Sequence, residues 1–304
     1  MKARWILLLG LGLLAGCATE QPTNTVPAQI RESRPAIATS PPGAPEFWPA
    51  SAPAIHAKSA VMIDARSGRV LYQKYADTPQ QVASTQKLVT ALLVVERGDL
   101  DGQLVVASAD TQVEPTKVGL RAGERYTRRQ ILSGMLVKSE NDCAHALGRD
   151  HSGSIEAFAV EMNRKAAECG AQNSHFVNPN GLPAAQHSTA RDMARIAFRA
   201  YREPVLRELM DSQTYTFVFP SGRSTRLENT NKLLWHSPIF TGMKTGFTNA
   251  AGKCLVASAS AGGREVILVQ LGSHAKWIFD DADVLLRWGL QQGSLPNFGP
   301  VPSL

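Results

Sequence analysis

Ser84-Thr85-Gln86-Lys87-Leu88-Val89-Thr90-Ala91-Leu92-Leu93-Val94-Val95 is the stretch that organises the rest of the chain. Leu88, Ala91, Leu92 and Val95 fall at i, i+3, i+4 and i+7, the spacing of a buried stripe on an α-helix, and Gly98 stops the run. Ser84 thus opens a predicted helix, and Lys87, three residues on, shares its face. Upstream, Ser59 to Lys74 reads as a hairpin: Val61-Met62-Ile63, a turn at Arg66-Ser67-Gly68-Arg69, then Val70-Leu71-Tyr72. Downstream, helical patterns run through Arg129–Val137, Asp142–Leu147, Ile155–Ala167 and Ala190–Tyr201. Strand signals return at Thr214–Phe219 and Thr225–Glu228, then at Lys253–Ser260 and Glu265–Leu271, before a last helix over Asp280–Gln291. Strands at both ends with helices between them require one sheet assembled from distant segments. The predicted fold class is α+β: an antiparallel sheet with flanking helices and a helical subdomain, in one domain of about 235 residues spanning 58–292.

Composition narrows the function classes. At 43% hydrophobic and 19% charged, the 304 residues match neither a disordered chain nor a polytopic membrane protein. The net charge of +6 comes from 32 Lys and Arg spread along the chain, which argues against a nucleic-acid partner. Four Cys are too few for a disulfide scaffold.

The N-terminus has its own pattern. Lys2 and Arg4 precede an apolar run, Ile6 to Gly16, that is too short for the roughly 20 helical residues a bilayer core needs. It fits the apolar region of an export signal. Leu14-Ala15-Gly16-Cys17 resembles a bacterial lipobox, which implies cleavage after residue 16 and lipidation of Cys17; a plain secretory signal with an incidental Cys is the alternative. Ala18, not Asp, implies outer-membrane sorting if the source is a diderm bacterium. Removing Lys2 and Arg4 lowers the charge to +4. Residues 17–57 hold eight prolines from Pro22 to Pro53 and read as a tether, about 35 Å long as a coil and at most about 120 Å in a polyproline conformation. A spacer of no particular length would look the same. Residues 293–304 form a C-terminal tail.

Three motifs follow one another: Ser84-Thr85-Gln86-Lys87, Ser139-Glu140-Asn141 and Lys244-Thr245-Gly246. Each has a bland reading alone. Ser84 or Asn141 can be a helix N-cap, Lys87 a solvated helix residue, and Lys244-Thr245-Gly246 an edge-strand turn. A second Ser-x-x-Lys, Ser273 to Lys276, has no room behind it for the other two motifs. In order and in context, the three resemble those of the serine D,D-peptidases, the low-molecular-mass penicillin-binding proteins, which share a fold with serine β-lactamases. Further matches include Met62-Ile63-Asp64, Gly134 to Lys138, Met162-Asn163, Phe176-Val177-Asn178-Pro179, Gly181-Leu182-Pro183 and Ser188 to Asp192, so the resemblance runs from about Ala57 to Gln291.

The resemblance implies a chemistry that these residue types suit. A serine hydroxyl attacks only once a base takes its proton, and a lysine is a base only when its pKa is lowered. Ser84 becomes the acyl-ester nucleophile, Lys87 the base, Lys244 the second cation that lowers Lys87, and Ser139 a proton relay; which lysine acts as main base stays open. Asn141 holds the substrate amide, and Lys244, Thr245 and Gly246 bind the terminal carboxylate. The N–H groups of Ser84 and Phe247 form the oxyanion hole. The implied partners are peptidoglycan stem peptides and β-lactams, with the membrane reached through Cys17 and no nucleic acid or cofactor required.

Two departures bear on specificity. Glu140 stands where carboxypeptidases of this resemblance usually have Gly, and Phe247-Thr248 stands where many have His-Thr. Both resemble an endopeptidase-like branch that cuts D-alanyl cross-links, as does a chain ending some thirteen residues past the last helix. The more general activity, D-alanyl-D-alanine carboxypeptidase, is the expected one, with D,D-endopeptidase as the alternative. A class A β-lactamase needs a Glu-x-x-x-Asn between the second and third motifs, and the only one here is Glu20 to Asn24 in the tether. A non-catalytic cell-wall-binding lipoprotein would tolerate loss of a motif residue, and none is lost. A zinc peptidase finds no tight His spacing; His145 and His151 are expected on a solvated helix and loop. Of Cys143, Cys169 and Cys254, at most one pair can bridge, and Cys254 reads as a buried thiol.

Overall fold

Strand β1 (Ser59–Asp64) sends its side chains alternately into two apolar cores: Val61 and Ile63 join one, Ala60 and Met62 the other, all fully buried. Alternation with burial on both faces marks a strand covered from both sides. It recurs in β8 (Gly252–Ala261), where Leu255, Ala257 and Ala259 face one core and Cys254 and Val256 the other, and in β9 (Arg264–Ser273). With β2 (Val70–Lys74) and β7 (Phe240–Thr248) these strands form a five-stranded antiparallel sheet of order β2-β1-β9-β8-β7. The architecture, a computed structural model, describes residues 52–292. The export signal, Cys17, the Glu20–Asn24 spacing, nearly all of the tether and the tail lie outside the described residues.

One face of the sheet is covered by α8 (Ile278–Gln291), whose Ile278, Ala282, Leu285 and Leu286 form a helical stripe buried with Met62 and Leu268. The other is covered by α5 (Ala190–Tyr201), which also packs on α1 (Lys87–Arg97). Around α1 lie α2 (Arg128–Val137), α3 (Asn141–Ser152) and α4 (Ile155–Glu168), the expected helical subdomain. Their starts are locally encoded: Thr127, Ser154 and Thr189 each accept a backbone N–H from the first turn of the helix that follows.

The structure also corrects the sequence reading. A stripe was expected on α1, yet every residue from Lys87 to Val94 is buried, because four helices surround it. Ser84 lies in a tighter 3-10 turn, Ala83–Gln86, and the α-helix proper begins at Lys87. The strands β5 (Thr214–Val218) and β6 (Ser224–Glu228) form a separate two-stranded ribbon instead of joining the main sheet. Short β3 (Gln103–Val105) and β4 (Arg125–Thr127) pair with each other, and α6 (Pro204–Asp211) and α7 (Leu233–His236) were not expected. Ile55 and Ala57, assigned to the tether, are buried in the α8-side core. His145 and His151 share α3 and are half-buried: His145 Nδ1 lies 2.8 Å from the buried Asp110 carboxylate, and His151 packs edge-on against Phe158. Cys143, Cys169 and Cys254 are all free thiols, with Cys254 buried as expected.

Candidate active site

Strand β7 lies at an edge of the sheet, and the 3-10 turn carrying Ser84 packs against it. The approach is close enough to require glycine. A Cβ on Gly246 would stand 2.8 Å from Ser84 N and 3.1 Å from Thr85 N. On the other side Gly181, at φ +83°, has its Cα against the Ala83 carbonyl, where a Cβ would collide with backbone. Each motif is also tied to a left-handed residue that is not glycine: Ala83 (φ 49°) before Ser84, Ser139 itself (φ 71°), and Met243 (φ 87°) before Lys244. Such conformations cost about 1–3 kcal/mol each and persist only where surrounding packing imposes them. At Met243 the cause is a β-bulge in β7, held by Asn231 Nδ2 donating to Gly242 O at 2.7 Å.

Lys87 is at the centre. Its Nζ donates to Ser84 Oγ (2.9 Å), to Asn141 Oδ1 (2.7 Å) and to the carbonyl of Asn180 (2.6 Å). Ser84 Oγ donates to the same carbonyl at 3.1 Å. Asn141 is fixed in turn, its Nδ2 donating to Pro115 O at 2.5 Å and its backbone N–H to Thr116 O at 2.8 Å. Lys244 Nζ donates to Thr245 O (2.9 Å), and Thr245 Oγ1 to Thr230 Oγ1 (2.6 Å). Ser84, Ser139, Asn141, Thr245, Gly246 and Phe247 all line one cleft of about 440 Å³. Phe247 is 54% exposed at its rim, with Lys253 Nζ 4.0 Å from the ring centre. Lys87 is joined to Ser84 and Asn141 by hydrogen bonds, whereas Lys244, fully buried, reaches the Thr245 carbonyl and does not itself line the cleft.

The electrostatics match the arrangement. Lys87 and Lys244 are both fully buried. Burial drives Lys87 well below the usual lysine range, and Lys244 pushes it further down. Lys244 itself is lowered to about 7 by burial. Desolvation is the larger cause at Lys87, and the charge of Lys244 adds to it.

Two features escaped the sequence. The carbonyl of Asn180 receives both Lys87 and Ser84, and Gln86 Nε2 ties the turn to Asn178 O (2.6 Å) and Gln186 Oε1 (3.1 Å). Phe176 to Pro179 and Gly181 to Pro183 stood out as matching stretches, but a main-chain acceptor leaves no side-chain signature. The other is Glu140, whose burial could not be foreseen. Among the described residues no three His, Cys, Asp or Glu side chains cluster as metal ligands.

Residues 48–275 match a family model described as D-alanyl-D-alanine carboxypeptidase, Peptidase_S11. The chain belongs to peptidase family S11. As an S11 member it is a serine peptidase hydrolase with a penicillin-binding-protein fold, and peptidoglycan is the family's substrate class. A D-alanyl-D-alanine carboxypeptidase of Mycobacterium tuberculosis is 35% identical over 255 residues, covering 81% of this chain and 86% of its own. A D-alanyl-D-alanine endopeptidase of Escherichia coli is 32% identical, covering 84% and 82%. A solved M. tuberculosis D-alanyl-D-alanine carboxypeptidase structure superposes with a TM-score of 0.79 at 33% identity, over 85% of this S11 chain and all of that one. Overall identity therefore barely separates exopeptidase from endopeptidase relatives.

Proposed function

We propose that this protein removes the terminal D-Ala of peptidoglycan stem peptides through an acyl-enzyme on Ser84, and that β-lactams acylate the same hydroxyl. The observation that carries this reading is the contact of Ser84 Oγ, at 2.9 Å, with a fully buried lysine held below its usual pKa. Once neutral, Lys87 keeps its two hydrogens for Asn141 Oδ1 and Asn180 O and turns its lone pair to Ser84. It takes the Ser84 proton as Oγ attacks the carbonyl of the penultimate D-Ala. The N–H groups of Ser84 and Phe247 receive the oxyanion: Ser84 is in the first turn of its 3-10 segment, where N–H groups lack partners in the preceding turn. Ser139, half-buried in the cleft that Ser84 also lines, passes a proton to the departing amine. Water then attacks the ester and frees Ser84.

Thr245 and Gly246, which line the cleft, take the terminal carboxylate, and the charge of Lys244 next to them attracts it. The carboxylate in turn favours the protonated form of Lys244. Asn141 already has one partner at each end of its amide, which leaves one Nδ2 hydrogen and one Oδ1 lone pair for a substrate amide. Its first task is to orient Lys87.

A second reading, D,D-endopeptidase on the same site, is favoured by Glu140 and Phe247 and by the similarity to the E. coli endopeptidase. Digestion of pentapeptide-containing and cross-linked muropeptides, followed by mass measurement, separates the two. Loss of one D-Ala per pentapeptide is the expected result; conversion of dimers to monomers with pentapeptides untouched establishes the endopeptidase instead.

The same reading extends to location. Export and lipid anchoring through Cys17 at the periplasmic side, in the outer membrane of a diderm, are supported by Lys2 and Arg4, the apolar run and the lipobox-like Leu14 to Cys17. Cys17→Ser should move the protein from the membrane to the soluble fraction, and retention on the membrane would contradict the anchor.

A further inference from the structure

Between Ser139 and Asn141 stands a side chain to which the chemistry above gives no task. Glu140 precedes α3 as its N-cap residue, yet its carboxylate makes no capping bond. It is 4% exposed, and its Oε2 is buried without a hydrogen-bond partner among the described residues. Asp142, two residues on, differs: its carboxylate accepts the N–H groups of Val118, Gly119 and Leu120. What acts on Glu140 is charge arriving from several elements: Lys87 on α1, Lys244 on β7, Lys138 at the end of α2, and Asp142 on α3, beside the buried Cys143 thiol.

We propose that Glu140 is the third charge of this active site, a positioning residue whose buried carboxylate, with one oxygen free of any hydrogen bond among the described residues, serves as the counter-charge to Lys244. The inference rests on the roles proposed above for the two lysines.

For both lysines, Glu140 is the foremost group that favours the proton against burial. Burial, and then Asp142, push Glu140 itself up to about 7, with the three lysines pulling the other way. Its carboxylate therefore forms in the same range in which Lys244, also at about 7, begins to lose its charge. Below that range a neutral acid stands near an ammonium. Above it, the new carboxylate retains the ammonium that the substrate carboxylate needs. Glycine at this position would leave Lys244 to burial, and would leave Lys87 only Asp142 and Cys143 to oppose burial and the charge of Lys244.

The test is the second-order rate of acylation by a fluorescent penicillin, followed from pH 5 to pH 10. In Glu140→Gln and Glu140→Gly the alkaline limb should move about one pH unit lower, giving roughly tenfold slower reaction on that limb and less than about threefold change at the optimum. Glu140→Asp, which restores a carboxylate, should recover most of the limb. Two charge-free variants of different shape guard against one failing to fold. A uniform loss at every pH, or a wild-type profile in both, overturns the proposal. Ser84→Ala in the same assay keeps the two levels apart. If it still reacts, the acyl-enzyme reading fails; if it is inert while the limbs do not move, only the role of Glu140 fails.

Discussion

Helix α3 meets buried charge at both ends, and the two clusters follow opposite rules. Past its first turn, His145 and Arg149 surround Asp110, which is fully buried. The Asp110 carboxylate accepts from Arg149 Nη2 and from the N–H of Ala107, both at 2.8 Å, and lies 2.8 Å from His145 Nδ1. Burial pushes its carboxyl up, and these hydrogen bonds together outweigh it, so it titrates below the ordinary carboxylate range. At the first turn the reverse holds. Two buried lysines repel each other, one carboxylate oxygen has no partner, and all three groups are displaced toward their neutral forms. A buried charge that is fully paired holds structure together; one left partly unpaired is reactive.

The largest expected effect breaks the frustrated end. Lys87→Ala should slow acylation by penicillin about 10⁴-fold while circular dichroism stays native. A loss below tenfold would move the base elsewhere. Next, Asp110→Ala leaves Arg149 and His145 without their carboxylate, and urea denaturation should show a loss of about 3 kcal/mol. Acylation per folded molecule should be unchanged, because that cluster lies outside the cleft. Stability close to wild type would erase the contrast between the two ends.

Geometry comes third. Gly246→Ala forces β7 away from Ser84, and a displacement near 1 Å should cost roughly 10²-fold in acylation rate with the pH profile unchanged in shape. The smallest effect concerns stability. Glu140 titrates at about 7 when folded against an ordinary 4.5, so its native carboxyl holds a proton that the unfolded chain has lost. Its contribution is fully present below about pH 4.5 and is lost as pH rises through 7. Glu140→Gln should therefore raise stability at pH 8 by on the order of 2 kcal/mol and change little at pH 4. An equal change at both pH values would mean that shape, not charge, is responsible.

Much of this was legible in the chain. Unbroken apolar runs bounded by turns, Val61 to Ile63 and Val266 to Val269, were enough to mark strands of the central sheet. The motif residues were legible because each chemistry needs a particular side chain, and Ser84, Lys87 and Asn141 do converge, with Thr245 and Gly246 on the same cleft. What stayed hidden has a common cause. The β5–β6 ribbon carries the same local signals as a sheet strand, and only long-range pairing decides where it goes. The Asn180 carbonyl belongs to the main chain, which every residue has. The left-handed turns at Ala83, Ser139 and Met243 run against local preference and exist only because tertiary packing holds them. Polar residues after Leu147 look like a helix end, whereas two of them have distant partners, Arg149 in Asp110 and Asp150 in Arg128.

The central claim is that burial and crowding of two lysines make the Ser84 hydroxyl a nucleophile. Intact-mass measurement and peptide mapping after brief exposure to a penicillin test it most directly, across pH and in Ser84→Ala. The expected result is a single acyl group on the peptide containing Ser84, forming more slowly as pH falls and Lys87 gains a proton, and no adduct in the variant. An adduct on Ser139 or elsewhere, or full labelling of Ser84→Ala, would contradict the account.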